Sequence, residues 1–313
     1  MQNSNNAISN YFEQLNIQTR AHIGVLFTNF FFALNLSLVQ YIAPEPLGPY
    51  GVNLFRVGGS LLLFWMMAIV TGSKEDKPIR KQDWVRLALC GFTGIFLNQT
   101  LFIKGLTMTS TIHAALLMLS TPLVITGLAV FFLKEKLRLI QAVGLMLGLA
   151  GAAVLITDRT NMGADSLLGD GFILINAISY AIYFIVVKPL MQYYPPSQVV
   201  RWVFTFGAIG ILPMGFPQAL DLHASGMHLQ QIMALITIVI FGTYFAYSLN
   251  IRGIQVLGAG VTGSYIYFQP IFATIIAILF LNDHPTPGKW LAAALIFLGV
   301  FLNSRKKVEK MGD

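Results

Sequence analysis

The chain has few charged residues and one cysteine. Charged side chains make up 11% of its 313 residues, whereas 56% are hydrophobic. A soluble domain of this length needs more charge on its surface, so these proportions exclude that class. The single Cys90 excludes an intramolecular disulfide and a thiolate metal cluster. We expect the protein to lie in a lipid bilayer.

Long apolar stretches recur along the chain, separated by short polar or Pro/Gly-containing breaks. About 20 mostly apolar residues are needed for a helix to cross the hydrocarbon layer, and each backbone amide must then be paired within its own segment. The sequence therefore predicts an all-α integral membrane protein with ten transmembrane helices. They are placed at 22–42, 50–71, 84–104, 110–133, 139–157, 169–188, 198–216, 229–251, 258–281 and 287–304.

Basic residues are distributed unevenly between the predicted loops. With the N-terminus in the cytoplasm, fifteen Lys and Arg face inward, and only Lys104, Arg159 and Lys289 face outward. This is the positive-inside pattern, so both termini are predicted to be cytoplasmic in a cell (inner) membrane. The first twenty residues lack the pattern of a signal peptide. The net charge of +7 is dispersed over loops facing anionic lipid and needs no nucleic acid to explain it.

The chain repeats itself at a spacing of 148 residues. Lys104-Gly105, Pro122, Glu135 and Gly151 recur as Arg252-Gly253, Pro270, Asp283 and Gly299. Five spans per copy is an odd number, so the second copy must cross the membrane in the opposite sense. The prediction is two inverted five-helix repeats, at 22–157 and 158–304, between the tails 1–21 and 305–313. Inverted repeats are typical of transporters that work by alternating access.

The stretch from Pro122 to Gly151 resembles the signature of the EamA-type drug/metabolite transporter superfamily. It has a mid-span proline, the run Leu133-Lys134-Glu135-Lys136-Leu137, and then Gln141, Gly144, Gly148 and Gly151. The second copy has Pro270, Leu281-Asn282-Asp283, Gly288 and Gly299, but with Asp283-His284 where the family favours Glu and a basic residue. The resemblance implies ten spans in two halves and transport of amino acids, sugars, nucleotide derivatives or other metabolites, often outward.

Matched prolines and small residues indicate how the halves move and pack. Pro122 and Pro270 are predicted to kink or loosen the fourth and ninth spans as hinges, because proline removes an amide donor. A static kink is the alternative. Gly144, Gly148 and Gly151 form a small-residue face that favours close helix packing rather than binding.

Neutral polar residues within the spans are the candidates for substrate binding. At the 148-residue offset Asn35 matches Tyr183, and Gln99 matches Tyr247. Buried amides and phenols must find partners, so they should point into the bundle. The predicted binding residues are Asn35, Asn98, Gln99, His113, Tyr180, Tyr183, Tyr247, Tyr265 and Gln269. Alternatively, Tyr183 and Tyr247 belong to the aromatic belt at the membrane interface.

Two arginines fall inside predicted spans, Arg56 toward the outside and Arg201 toward the inside. A guanidinium can hold a carboxylate bidentately, so either residue is a candidate gate or substrate contact. Side chains this close to a span end can equally snorkel to the interface as anchors.

Acidic residues are absent from the middle of the predicted spans. All thirteen fall in loops, termini or span ends, Asp170 among them. Ion-coupled antiporters commonly hold an intramembrane carboxylate. We therefore expect facilitated transport or exchange, with His113 as the sole titrating candidate within a span.

The sequence thus predicts a secondary transporter, an exporter or a facilitator, for a small polar metabolite such as an amino acid. A sugar, nucleoside or vitamin is left open as substrate. A lipid-modifying membrane enzyme or a channel is less favoured, because no catalytic or metal-binding motif is present, and no metal or cofactor is expected.

Overall fold

The computed structural model describes residues 2–43, 47–73, 75–121, 123–124, 139–157, 166–221, 226–257, 262, 265–281 and 285–304. Regular structure within these ranges is helical, and no strand occurs in them. The helices in chain order are α1 Gln2–Ile42, α2 Gly48–Thr71, α3 Lys81–Leu106, α4 Thr111–Met118, α5 Leu139–Thr157, α6 Ser166–Tyr193, α7 Pro196–Leu220, α8 Leu229–Leu257, α9 Phe268–Leu281 and α10 Pro287–Ser304.

Hydrophobicity along these helices identifies an all-helical membrane protein. Six of them contain stretches long and apolar enough to cross a bilayer, at Asn16–Ile42 and in α2, α3, α6, α7 and α8. Shorter apolar stretches lie at Ala142–Val154, Phe268–Phe280 and Pro287–Gly299. The fourth predicted span is described only as far as residue 124, so the count of ten stays a prediction.

The 148-residue repeat is visible in the backbone. Helices that begin at residues 48, 81 and 139 have counterparts that begin at 196, 229 and 287. Within α3 and α8 the same offset separates two π-helical turns, Phe92–Leu97 and Ile240–Phe245. A π-turn widens a helix locally and is frequent at functional sites. The two halves are therefore copies of one structure, including an irregularity that hydrophobicity does not reveal.

Contacts between α2 and its repeat mate α7 show that the copies are inverted. At the beginning of α2, the Gly51 amide donates to Gln218 Oε1, near the end of α7, at 2.9 Å. Toward the end of α2, Trp65 Nε1 donates to Thr205 Oγ1, near the beginning of α7, at 3.1 Å. The repeat-related helices α2 and α7 therefore run antiparallel. A two-fold axis that exchanges them must be perpendicular to both helices, and so it lies in the membrane plane. This confirms the inverted-repeat prediction.

The predicted glycine face brings α5 and α10 into close contact. A methyl group at Gly299 would lie 2.5 Å from the Gly144 carbonyl oxygen and 2.6 Å from the Gly148 amide nitrogen. One at Gly151 would lie 2.7 Å from Ile296 Cγ1. Backbones can approach this closely only where side chains are absent. The packing role predicted for these glycines is thus what the structure shows.

Two further close approaches are related to each other by the repeat. Gly94, in the π-turn of α3, lies against the Tyr183 ring of α6. Gly242, in the π-turn of α8, lies against the Asn35 side chain of α1, where a methyl group would be 2.8 Å from Oδ1. Gly242 is the repeat mate of Gly94, and Asn35 is the repeat mate of Tyr183. The second contact is therefore the first one repeated by the two-fold symmetry. The glycines in the π-turns thus let α1 and α6 pack close to the axis.

Candidate binding cavity

The pseudo-two-fold axis passes between α3 and α8. Gln99 Nε2 of α3 donates a hydrogen bond to the Tyr247 hydroxyl of α8 at 2.6 Å. These residues are 148 positions apart, so each bonds to its own repeat mate. Two equivalent positions can meet only near the axis that exchanges them.

A cavity containing about 870 Å³ of space, its open mouth included, surrounds this hydrogen bond. Much of its wall consists of repeat-related pairs, which places it across the axis. The pairs are Phe32 with Tyr180, Gln99 with Tyr247, Phe102 with Asn250, Met118 with Ile266, and Thr121 with Gln269. Because each pair combines unlike side chains, the two halves of the wall differ in chemistry.

Most of the predicted binding residues lie in this wall. They are Asn35, Asn98, Gln99, Tyr180, Tyr247 and Gln269, and the candidate gate Arg56 joins them. The aromatic-belt alternative does not describe the tyrosines. Tyr183 is 9% exposed within the bundle, and Tyr247 contacts Phe32 and Phe204 edge to face.

Five of the predicted residues lie outside the wall: Tyr183, Tyr265, Pro270, His113 and Arg201. The Tyr183 ring packs against Gly94, and the Tyr265 hydroxyl lies 2.7 Å from His22 Nδ1. Pro270 is buried in the first turn of α9, directly after a 3-10 turn at Tyr265–Tyr267. A proline there forfeits no helical hydrogen bond, so the kink expected at Pro270 is replaced by a break before it. Pro122 lies outside the described residues.

Arg56 projects from α2 into the cavity wall and is 2% exposed. Its Nε donates to Thr243 Oγ1 in the π-turn of α8 at 2.8 Å. Its Nη1 is buried and has no hydrogen-bond partner among the described residues. In the part of the chain that the structure describes, no Asp or Glu lines the cavity. The cavity therefore contains a cation that no carboxylate of the described residues neutralises.

Arg201 lies apart from the cavity, near the start of α7. Its Nη2 is paired with the Asp76 carboxylate, and its guanidinium carbon lies 4.8 Å from the centroid of the Trp65 ring. With its charge paired in this way, Arg201 links α7 to the loop after α2. The two arginines predicted as equivalent candidates are thus distinguished by their partners.

Three asparagines that the repeat comparison missed also line the cavity: Asn29, Asn176 and Asn250. Asn176 Nδ2 donates to the Asn98 carbonyl at 2.7 Å, and Asn98 Nδ2 to the Asn176 carbonyl at 3.3 Å. The side-chain oxygens of Asn29 and Asn35 are buried and accept no hydrogen bond from the described residues. The cavity thus offers free acceptors as well as the Arg56 donor.

Asp170 lies near a span end, as predicted, but its burial was not predicted. Although near the start of α6, Asp170 is 2% exposed, and its Oδ1 lies 2.9 Å from His113 Nε2. A buried carboxylate paired with a histidine is therefore present in the bundle. His113 is also not the sole histidine in a span, because His22 lies within Asn16–Ile42. Position along the chain does not reveal burial that a partner helix creates.

Comparison with known proteins finds a family match over most of the chain. The EamA-like transporter family matches it twice, at residues 19–157 and 167–305, again 148 residues apart. The chain belongs to the EamA-like transporter family. The resemblance inferred from Pro122 to Gly151 is thereby confirmed, and the protein is a multi-pass member of a family of membrane transporters.

Relatives of this EamA-like protein match along most of their length. An uncharacterized transporter of Clostridium kluyveri is 24% identical over 93% of this chain and 96% of its own. A probable terminal-alkyne amino-acid exporter of Streptantibioticus cattleyicolor is 27% identical over 88% of this chain and 93% of its own. A solved structure described only as the crystal structure of a protein has a TM-score of 0.62 at 16% identity, covering 91% of this chain and 97% of that one. That structure supports the fold.

Proposed function

We propose that this protein is a secondary transporter that exports a small metabolite with a carboxylate group, such as an amino acid, by alternating access. Its substrate occupies the cavity on the pseudo-two-fold axis. The observation that carries the proposal is the buried Arg56, whose Nη1 has no partner among the described residues, none of which brings an acidic side chain into the cavity wall.

Arg56 explains why the substrate should be an anion or a zwitterion. Leaving a charged group buried and unpaired is costly, and a carboxylate opposite it removes that cost. Hydrogen bonds to charged groups contribute about 1.5–3 kcal/mol. A neutral sugar or nucleoside would leave the guanidinium without a counter-charge.

The other lining groups favour an amino acid over a simple carboxylate. The free side-chain oxygens of Asn29 and Asn35 can accept hydrogen bonds from a substrate ammonium. Aromatic and aliphatic residues such as Phe102, Phe184 and Ile266 provide an apolar surface for a side chain. The printed name of the Streptantibioticus relative, a probable amino-acid exporter, supports this substrate class and the outward direction.

Inversion of the two halves supports the alternating-access part of the proposal. Because the cavity lies on the axis, the same lining residues can be reached from either side when the halves rock against each other. The uneven distribution of basic residues between the predicted loops supports an orientation with both termini in the cytoplasm.

Binding to purified protein in detergent tests the substrate class. Thermal-shift and calorimetric titrations should use matched ligands: an amino acid, its methyl ester, the corresponding amine, and a sugar and a nucleoside of similar size. We expect stabilisation by the amino acid and none by the sugar or nucleoside. Removal of the carboxylate should weaken binding about 10- to 100-fold, the equivalent of one charged hydrogen bond.

Arg56→Gln should weaken amino-acid binding to the same degree and abolish the preference over the methyl ester. Arg201→Gln is the matched control, because Arg201 is paired with Asp76 outside the cavity, and this variant should bind the amino acid as the unmodified protein does. Equal binding of the amino acid and its methyl ester by unmodified protein would contradict the role of Arg56. Flux through liposomes without counterflow stimulation would favour a channel, and turnover of lipid would favour an enzyme.

A further inference from the structure

His113 and Asp170 face each other away from the cavity. His113 Nε2 of α4 lies 2.9 Å from Asp170 Oδ1 of α6, and their side chains are 1% and 2% exposed. The angles at these atoms do not satisfy a hydrogen bond, so the contact is defined by the distance between them. Neither residue belongs to the cavity wall. The proposed binding site therefore leaves this pair without a role.

The pair lies between the cavity and one end of the bundle. His113 precedes the lining residue Met118 by five positions, and Asp170 precedes Asn176 by six, which is about 7.5 and 9 Å along the helices. Every residue of α4 from 111 to 117 is at most 4% exposed. Gln40 Nε2 of α1 closes the same end by donating to the Thr109 carbonyl at 2.8 Å. The pair thus connects α4 and α6. These helices close the cavity at the end that the predicted orientation places outside.

The repeat mate of Asp170 has a different partner at the opposite end. His22 of α1 is the repeat mate of Asp170, and it lies 2.7 Å from the Tyr265 hydroxyl, next to α9. Tyr265 is the repeat mate of Leu117, whereas the repeat mate of His113, residue 261, lies outside the described residues. At these positions the two ends therefore differ: one has a histidine beside a tyrosine hydroxyl, and the other has an aspartate beside a histidine.

Other charged groups at this end come from the helices packed against α4 and α6. Lys289 of α10 is 4% exposed, and its Nζ lies 3.2 Å from Ser110 Oγ, which accepts from the His113 amide. Lys104 is partly buried in the last turn of α3. Among the described residues, α1, α5 and α9 add no charged side chain to this end. Among the described residues around this contact, Asp170 is thus the acidic group beside Lys104, Lys289 and His113.

We propose that His113 and Asp170 form a proton-binding latch that holds the outer end closed. While α4 and α6 are in contact, a proton on His113 gives an ion pair, and its loss would leave a buried carboxylate against a neutral ring. That arrangement is costly in the bundle. When the helices part, water solvates both groups and His113 releases its proton to water.

Proton binding and closure are therefore linked reciprocally. If the closed state binds the proton more tightly, acidification must favour the closed state, and a rise in pH must favour outward opening. The inference rests on the proposed alternating access, but not on the identity of the substrate.

Thiol labelling from outside measures the opening directly. The reporter is Ser120→Cys in a Cys90→Ala background, because Ser120 is 5% exposed and adjoins the lining residue Thr121. Intact cells receive a membrane-impermeant maleimide between pH 6 and pH 8.5. Rates are divided by those of a surface reporter, Gln230→Cys, which corrects for the effect of pH on thiol reactivity.

We expect the corrected labelling rate to rise at least about fivefold over this range. This is well within the limit for one linked proton, which is about tenfold per pH unit. His113→Gln and Asp170→Asn should give rates independent of pH. His113→Lys keeps a cation beside Asp170 and should label slowly at every pH. His228→Asn, which changes an exposed histidine at the start of α8, should keep the pH response.

The proposal would be overturned by a labelling rate independent of pH in the reporter protein that keeps His113 and Asp170. It would also be overturned if His113→Gln left the pH dependence of that rate unchanged. If one latch variant fails to fold, the pH series of the unmodified latch and of His113→Lys still decides the question. Arg56→Gln should retain the response, so failure of the substrate proposal and failure of the latch can be told apart.

Discussion

A methyl group added at Gly299 tests whether α5 and α10 pack through their glycines. Its carbon would lie 2.5 Å from the Gly144 carbonyl oxygen and 2.6 Å from the Gly148 amide nitrogen. Ordinary non-bonded contacts are about 3.5 Å, so the helices must move apart by roughly 1 Å. Both obstacles are backbone atoms, which cannot rotate away. Overpacking of this kind costs about 1–3 kcal/mol, and each kcal/mol lowers the unfolding temperature by about 2–4 °C in a larger protein.

We therefore expect Gly299→Ala to lower the apparent unfolding temperature by about 2–12 °C in detergent. Ligand affinity below that temperature should not change, because the described residues of α5 and α10 do not line the cavity. Gly58→Ala is the matched control, since a methyl group there would have no atom within 4 Å. It should be neutral or stabilising by up to about 1 kcal/mol, as alanine favours a helix. Equal stability of the two variants would refute the close packing.

Two further substitutions test the axis and the end of the bundle where Tyr194 contacts Asp83. Tyr247→Phe removes the hydroxyl that accepts the hydrogen bond from Gln99. It should destabilise the protein by about 1–3 kcal/mol and reduce counterflow in proteoliposomes. Tyr41→Phe, at an exposed position, should have neither effect. Burial, and then the hydrogen bond to Asp83, raise the pKa of Tyr194 above its usual value. The folded state therefore keeps this proton after the unfolded state has lost it, so stability should fall as pH rises above about 10. Unfolding temperatures of Tyr194→Phe should fall less over that range, and an identical decline would contradict the assignment.

Helix positions could be predicted because lipid demands long apolar stretches with internal hydrogen bonds. The predicted spans 139–157 and 287–304 coincide with α5 and α10. Elsewhere the helices run past the apolar stretch, as in α6, which covers 166–193 rather than 169–188. Hydrophobicity marks where a helix meets lipid, and a helix can continue beyond that layer.

The cavity was only partly predictable, because two-fold symmetry relates positions and not side-chain types. Matching polar residues at the 148-residue offset found Gln99 with Tyr247. It passed over Asn250, whose repeat mate is Phe102, although both line the cavity. Any amide within a span is costly in lipid unless it has a partner or a wet cavity, and that criterion would have found Asn176 and Asn250.

The His113–Asp170 contact and the π-turns required the three-dimensional structure. Asp170 is near the start of its helix, and its burial depends on α4, 57 residues earlier in the chain. The π-turns at Phe92–Leu97 and Ile240–Phe245 have no counterpart in hydrophobicity, although Gly94 and Gly242 mark where neighbouring helices approach them.

The position of a bound ligand tests the central claim most directly. Once the binding screen has identified an amino acid, the same compound with bromine on its side chain can be located by anomalous scattering from crystals of the complex. We predict bromine within the cavity against Phe102, Phe184 or Ile266, and the carboxylate within about 3 Å of Arg56 Nη1. A ligand bound outside this cavity, or bound with its carboxylate away from Arg56, would contradict the account.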